Sequence, residues 1–277
     1  IDKTIKMVEK NHSEIIEIEK IPLDDTKVYK MFSDAKTTGI FQFESDGMRE
    51  HLKNLKPTSI KDLIAMNALY RPGPMANIPK FISRKNGKTP INYIHSSLEP
   101  ILKETYGIIV YQEQVMQISQ IIGGFSLAQG DMLRRAMGKK KAKLMAAFKV
   151  DFVEGATKNK IDKKLAVEIF DLLEKFAQYG FNKSHSTAYA LVAYQTAWLK
   201  THFPAEFFAA NLSSEMFNTD RVVSLLSSAK RNNLTILPPN VNTSYSDFRA
   251  LDKQHIAYGL AAVKNIGAKA ADVLSDH

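Results

Sequence analysis

Residues 161–201 read IDKKLAVEIFDLLEKFAQYGFNKSHSTAYALVAYQTAWLKT, and their periodicity decides the fold class. Leu165, Ile169, Leu172, Leu173 and Phe176 recur at three- and four-residue spacing, the apolar stripe of a helix from about Ile161 to Tyr179. Gly180 is its natural terminator. A second helix follows from about Ser186 to Thr201 and is apolar almost all round, so it should be largely buried. Pro204 suits the first position of a third helix, where its missing N–H costs nothing.

Outward from this segment the chain stays mostly helical. Ser45 can cap a helix running to about Leu55, and another runs from about Ser59 to Tyr70 until Arg71-Pro72-Gly73-Pro74 stops it. Gln112 to Ile122 carries Val115, Ile118, Ile121 and Ile122 on one face and ends at Gly123-Gly124. Ile1 to Glu19 reads as a helix or an exposed lead-in, broken at Pro22 and Asp24-Asp25. Two short strands are expected, an alternating one over residues 39–44 and a buried β-branched one over residues 107–111. After Leu237, Pro238-Pro239-Asn240 signals a linker. Residues 248–251 and 255–258 then read as a β-hairpin, and residues 259–277 as helix, tight turn, helix. The expected class is mainly α with short β elements: one helical domain over residues 1–237, then a small hairpin and helical segment over residues 238–277.

The chain has 277 residues, 44% hydrophobic, with a formal net charge of +9. That is enough for a sizeable core, and the basic balance favours anionic partners, nucleic acid first. Cysteine is absent, which excludes disulfides, thiol nucleophiles and cysteine-ligated metals. The N-terminus has no signal-peptide core and no stretch is apolar enough for a membrane helix. A soluble cytoplasmic protein is expected. A start at Ile1 without methionine, and a stop soon after a recognisable motif, suggest a piece of something longer.

Three segments carry chemistry. Arg134-Arg135-Ala136-Met137-Gly138-Lys139-Lys140-Lys141-Ala142-Lys143 has no acid between Met132 and Val150. A solvated helix face usually mixes signs, whereas arginine forks and lysine charges suit phosphate. The alternative is a basic surface helix. Lys140 follows Gly138-Lys139 where a Walker loop needs Ser or Thr. The turn Tyr179-Gly180-Phe181-Asn182-Lys183-Ser184-His185-Ser186 joins two helices. Asn182, Lys183 and His185 could add donors to a helix N-terminus, and Tyr179 or Phe181 a stacking face. The plain alternative is an ordinary cap with an exposed lysine. Finally, Lys264-Asn265-Ile266-Gly267-Ala268-Lys269 resembles a helix-hairpin-helix turn, which holds DNA backbone through amides and lysines without reading sequence. A plain helical hairpin is the alternative. No Asp-x-Asp in a strand and no metal-ligand spacing among the histidines is present.

At these residues the chain resembles the C-family bacterial replicative polymerases, the alpha subunits of DNA polymerase III. The strings that carry the resemblance are residues 37–45 (TTGIFQFES), 68–74 (ALYRPGP), 106–116 (YGIIVYQEQVM), 131–140 (DMLRRAMGKK) and 179–190 (YGFNKSHSTAYA). Their order covers nearly the whole chain and is closer to the Gram-negative type than to the PolC branch. The resemblance implies a fingers domain over residues 1–237, with residues 1–36 leading in from the palm, and a truncated first helix-hairpin-helix over residues 238–277. It places the catalytic aspartates, and the Mg²⁺ they hold, before the start of this chain. No catalytic residue and no metal site is expected here, so the chain alone should be inactive. Arg134, Arg135, Lys139, Lys183 and His185, with Asn182, become candidates for the incoming nucleoside triphosphate. Lys140, Lys141, Lys143, Lys264, Gly267 and Lys269 are candidates for DNA backbone. Implied partners are primer-template DNA and dNTP, and for the parent the sliding clamp, proofreading exonuclease and clamp loader of a nucleoid-associated replisome. Two rivals stand beside this reading. One is a stand-alone basic helical module that coats nucleic acid. The other is a complete small nucleotidyltransferase or nuclease.

Overall fold

The computed structural model describes residues 1–138, 142–177 and 180–275. Over these the chain forms α1 (Asp2–His12), α2 (Thr26–Ser33), α3 (Asp46–Leu55), α4 (Ile60–Leu69), α5 (Ile78–Lys85), α6 (Glu99–Leu102) and α7 (Gln112–Ile121). There follow α8 (Leu127–Gly138), α9 (Ala142–Lys158), α10 (Lys163–Ala177), α11 (Lys183–His202), α12 (Pro204–Ser214), α13 (Thr219–Arg231) and α14 (Ala268–Ser275). Strands β1 (Thr235–Leu237), β2 (Arg249–Ala250) and β3 (His255–Ala257) form one sheet in the order β1-β3-β2, with β1 parallel and β2 antiparallel to β3. The class is mainly α with short β elements, as the periodicity requires. The chain divides into two compact units, Ile1–Thr58 with Leu191–His277, and Ser59–Ala190, so α11 contributes to both.

In the unit of residues 1–58 and 191–277, side-chain caps start the helices. Asp25 accepts from Lys27 N–H at 2.8 Å ahead of α2, and Ser45 Oγ from Met48 N–H at 3.4 Å ahead of α3. Pro204 opens α12. α12 packs against α1, α13 and β2. Phe32 meets Phe43 edge-on at 5.5 Å in the core. Two buried charges are satisfied. Glu206 accepts from Asn11 at 3.1 Å and lies 2.8 Å from His12 Nε2. The Lys200 ammonium donates to the carbonyls of Lys36 (2.7 Å) and Thr38 (2.8 Å).

In the unit of residues 59–190, α6 to α10 surround one apolar core that includes Leu98, Leu102, Val115, Ile118, Leu133, Phe152, Ile169, Phe170 and Leu173. The stripe predicted on α10 supplies Ile169 and Leu173, with Leu165 and Phe176 packed alongside. Leu172, expected on that stripe, is exposed instead.

Four expectations need correction. Residues 39–44 are consecutive turns, not a strand: Gly39 (φ +80°) and Gln42 (φ +63°) adopt left-handed backbone. Ile40 N–H bonds Thr37 O and Phe43 N–H bonds Ile40 O, which tucks Ile40 and Phe43 inward three residues apart. Residues 108–111 are buried but find, among the described residues, no partner strand beyond a single bridge from Tyr111 to Phe181. Gln114 takes their amides instead, its Oε1 accepting from Val110 N–H (2.8 Å) and Tyr111 N–H (3.0 Å). In the helical segment after Gly259, the first helix is one 3₁₀ turn, Leu260–Ala262. Finally, β1 was not expected; Leu234-Thr235-Ile236-Leu237 before two prolines is its signal.

Candidate functional site

The turn at residues 180–185 is built against the start of α7. Gln112 N–H donates to Phe181 O at 2.9 Å, and the Gln112 side-chain amide to Gly180 O at 3.0 Å. Beside it, both Glu113 oxygens accept from Lys183 N–H, at 3.0 and 3.1 Å. A carboxylate at a helix N-terminus is where the free N–H groups and the dipole favour one. Asn182 Oδ1 accepts from His185 N–H at 2.8 Å and completes the cap of α11. Lys183 Nζ reaches Glu104 at 2.6 Å and lies 5.4 Å from the Tyr111 ring centre. Burial, aided by Glu104 and Glu113, holds the Tyr111 phenol well above its ordinary pKa.

Arg134, on α8, joins this arrangement. Its Nη1 donates to Gln112 Oε1 at 3.3 Å, and its Nε and Nη2 to Asp131 Oδ1 at 3.0 and 2.7 Å. Arg135 Nε lies 2.7 Å from the other Asp131 oxygen. Hydrogen bonding from Arg134, reinforced by Arg135, holds the Asp131 carboxyl below its usual range. One side chain, Gln112, therefore accepts from Arg134 and donates to Gly180, linking segments almost fifty residues apart. Three cations, Lys183, Arg134 and Arg135, meet three carboxylates, Glu104, Glu113 and Asp131, so the charges balance. Two arginines share one aspartate, and the Arg135 side chain is the more exposed of the two.

Phe181 is half-buried, and the Arg71 guanidinium lies 4.0 Å from its ring centre. Desolvation lowers the Arg71 pKa. The exposed His185 ring sits 5.4 Å from Phe181 and 4.2 Å from Tyr189, with no hydrogen bond to either ring nitrogen among the described residues. One face of the expected stacking residue Phe181 is thus occupied by Arg71. The expected residues Lys139, Lys140, Lys141 and Tyr179 lie outside the described residues. Lys143 is exposed on α9.

Sequence reasoning missed Gln112, Glu113, Glu104, Asp131 and Arg71. Asp131 could have been found, since it stands three and four residues before the arginines on one helix face. Glu104 and Glu113 are brought in by the fold alone. In the other unit, Lys264, Gly267 and Lys269 are all exposed around the turn before α14, where Asn265 takes φ +70°. Among the described residues there is no group of three or more His, Cys, Asp or Glu that could hold a metal ion. No helix among them is long and apolar enough to cross a membrane.

The chain is basic and mainly helical, gathers arginine and lysine side chains near a helix N-terminus, and carries a short turn-and-helix segment after Gly259. Residues 1–160 match the model of the bacterial DNA polymerase III alpha subunit finger domain, and residues 233–277 match the helix-hairpin-helix motif. The chain belongs to the bacterial DNA polymerase III alpha subunit finger-domain family. It is 53% identical over 259 residues to DNA polymerase III subunit alpha of Vibrio cholerae, covering 91% of this chain and 22% of that protein. The subunit alpha of Xylella fastidiosa strain 9a5c is 52% identical over 279 residues, 99% of this chain and 23% of that protein. That of Escherichia coli K12 is 51% identical over 265 residues, 93% and 23% respectively. The chain thus spans less than a quarter of the length of these relatives.

Proposed function

We propose that this chain acts, within a longer replicative DNA polymerase, as the fingers that receive the incoming deoxynucleoside triphosphate and as a first contact to the primer-template backbone. The reaction of the whole enzyme would be nucleotidyl transfer to a primer 3′-hydroxyl with release of pyrophosphate. Arg134, Arg135, Lys183 and His185 would face the triphosphate, with Asn182 holding the turn and Lys139 a further candidate from the same basic run of sequence. Charge builds on the leaving phosphates during transfer, and positioned cations stabilise it without reorganising. Mg²⁺ would be held by carboxylates outside residues 1–277 and would neutralise the same oxygens. Lys140, Lys141 and Lys143, and separately Lys264, Gly267 and Lys269, would hold DNA backbone.

The observation that carries this reading is the hydrogen-bonded path from Arg134 through Gln112 to Gly180 and the start of α11. Residues 1–237 would form the fingers, with residues 1–36 leading in from the palm. Residues 238–277 would open the duplex-binding region. The clamp, exonuclease and clamp loader would engage other parts of a cytoplasmic, nucleoid-associated enzyme. Titrating the chain with a fluorescent dATP analogue tests the phosphate site. Arg134→Ala and Lys183→Ala should each weaken binding several-fold, while inorganic pyrophosphate should compete. Equal affinity in wild type and both variants would overturn the assignment.

A further inference from the structure

A second basic feature lies away from this site, in the unit of residues 1–58 and 191–277. Lys3, Lys6 and Lys10 stand on one face of α1 at spacings of three and four, and all are exposed. With Tyr245, Asp247, Arg249 and Leu251 they line a groove of about 530 Å³. The Arg249 guanidinium stacks 3.7 Å from the Tyr245 ring centre. Only Asp247, 3.5 Å from Lys3, opposes these four cations inside the groove, and Lys6 also pairs with Asp2 at 2.9 Å outside it. Among the described residues Lys10 has no ion pair, and Arg249 has only its ring contact.

The far wall is fixed by the helix-hairpin-helix segment. Leu260 N–H donates to Tyr245 O at 2.8 Å, and Ala261 N–H to Ser246 O at 3.1 Å. Gly259 permits this approach, because a Cβ there would meet Phe248 N at 2.8 Å.

We infer that this groove binds single-stranded nucleic acid, holding its phosphodiester backbone with Lys3, Lys6, Lys10 and Arg249, the last held in place by its stack on Tyr245. Lysines tracking a backbone beside an aromatic ring are how strands are held without base readout. A concavity of this size admits a nucleotide, whereas a rigid duplex is convex and could only bridge its rim. The inference rests on the DNA-handling reading above for the identity of the strand alone.

Binding of fluorescein-labelled oligo-dT and of a labelled duplex to the 277-residue chain, across a salt series, tests it. The wild type should prefer the single strand. The triple variant Lys3→Gln, Lys10→Gln, Arg249→Gln should bind it roughly tenfold more weakly at low salt, with a log K against log salt slope shallower by about 2. Arg249→Lys alone should retain most of the affinity. The control Lys20→Gln, Lys53→Gln, Lys230→Gln removes equal charge from exposed positions of the same unit and should change little, and all variants should melt like wild type. If groove and control variants bind alike, the inference falls while the DNA reading stands. A groove-dependent preference for duplex overturns the single-strand assignment. No binding of either DNA by wild type would sink both.

Discussion

Arg134 and Arg135 adjoin in sequence but differ in commitment. Arg134 spends three donors on Asp131 and Gln112, while Arg135 offers Asp131 one. In an intact polymerase carrying this sequence, Arg134→Ala should cost roughly 1.5–3 kcal/mol, the range for a charge-assisted bond, and it also frees Gln112. If Arg134 meets the triphosphate as proposed and the contact strengthens as pyrophosphate leaves, steady-state kinetics should show kcat falling together with a rise in KM for nucleotide. A fall in DNA affinity with nucleotide KM unchanged would instead make it a backbone contact. Lys200 makes a second case at this scale. It is 3% exposed, and burial pushes its pKa down to about 7 despite its two carbonyl acceptors. Between about pH 7 and the ordinary lysine value the unfolded chain binds one more proton than the folded chain, so stability rises with pH there. The penalty is complete below about pH 7. Urea denaturation should show stability increasing from pH 7 to pH 9.5, before tyrosines ionise, by an amount on the order of a few kcal/mol. Lys200→Met should flatten that increase, and an unchanged slope would show that Lys200 stays charged when folded. Nothing in the local sequence marks Lys200, which reads as the basic last turn of a helix. Only the fold brings residues 36–38 over it.

Helices were legible at several clean stripes and caps: Ser45 caps α3, Pro204 opens α12, and α10 buries Ile169 and Leu173 as its spacing requires, whereas α2 and α13, capped by Asp25 and Asn218, were not read. Short β-like runs were not legible. Alternation over residues 39–44 and a β-branched run over residues 107–111 both signal burial, and the structure buries Ile40, Phe43 and residues 108–111 while leaving Phe41 exposed. A strand also needs a partner, which local sequence does not contain. In the second segment Gln114 substitutes for that partner. It is buried, accepts from two backbone amides, and donates to Ile101 O at 3.2 Å and Thr105 Oγ1 at 2.9 Å. Gln114→Leu keeps the volume and orphans those groups, so it should lower stability by about 2–4 kcal/mol in chemical denaturation. A loss under about 1 kcal/mol would show that packing alone holds the segment. The same substitution should weaken nucleotide binding, because residue 111 leads directly into Gln112 and Glu113.

For the whole molecule, the candidate site was half readable. Its cations announce themselves by charge density, but the carboxylates that face them, Glu104 and Glu113, come from segments no spacing rule connects to residue 183. What the chain holds is a set of donors for anions; what phosphoryl transfer also requires is a pair of metal ions clamping the attacking and leaving oxygens. The acids described here are spent otherwise. Asp131 serves two arginines, Glu113 a helix N-terminus, Glu104 a lysine, and Glu206 an asparagine and a histidine. None forms a cluster fit for a cation. The purified 277-residue chain should therefore bind DNA with an affinity that falls steeply with salt, by about 0.9 in slope for each duplex phosphate neutralised, and yet fail to extend a primer. Without metal-bound carboxylates nothing activates the 3′-hydroxyl, and arginines alone leave the attacking oxygen protonated. Primer extension in Mg²⁺ or Mn²⁺, with labelled primer in single-turnover excess of protein, is the check. Extension that survives further purification and disappears on mutating one acid of the chain would show a complete polymerase centre within these residues. Salt-insensitive DNA binding would remove the electrostatic basis of the proposed role.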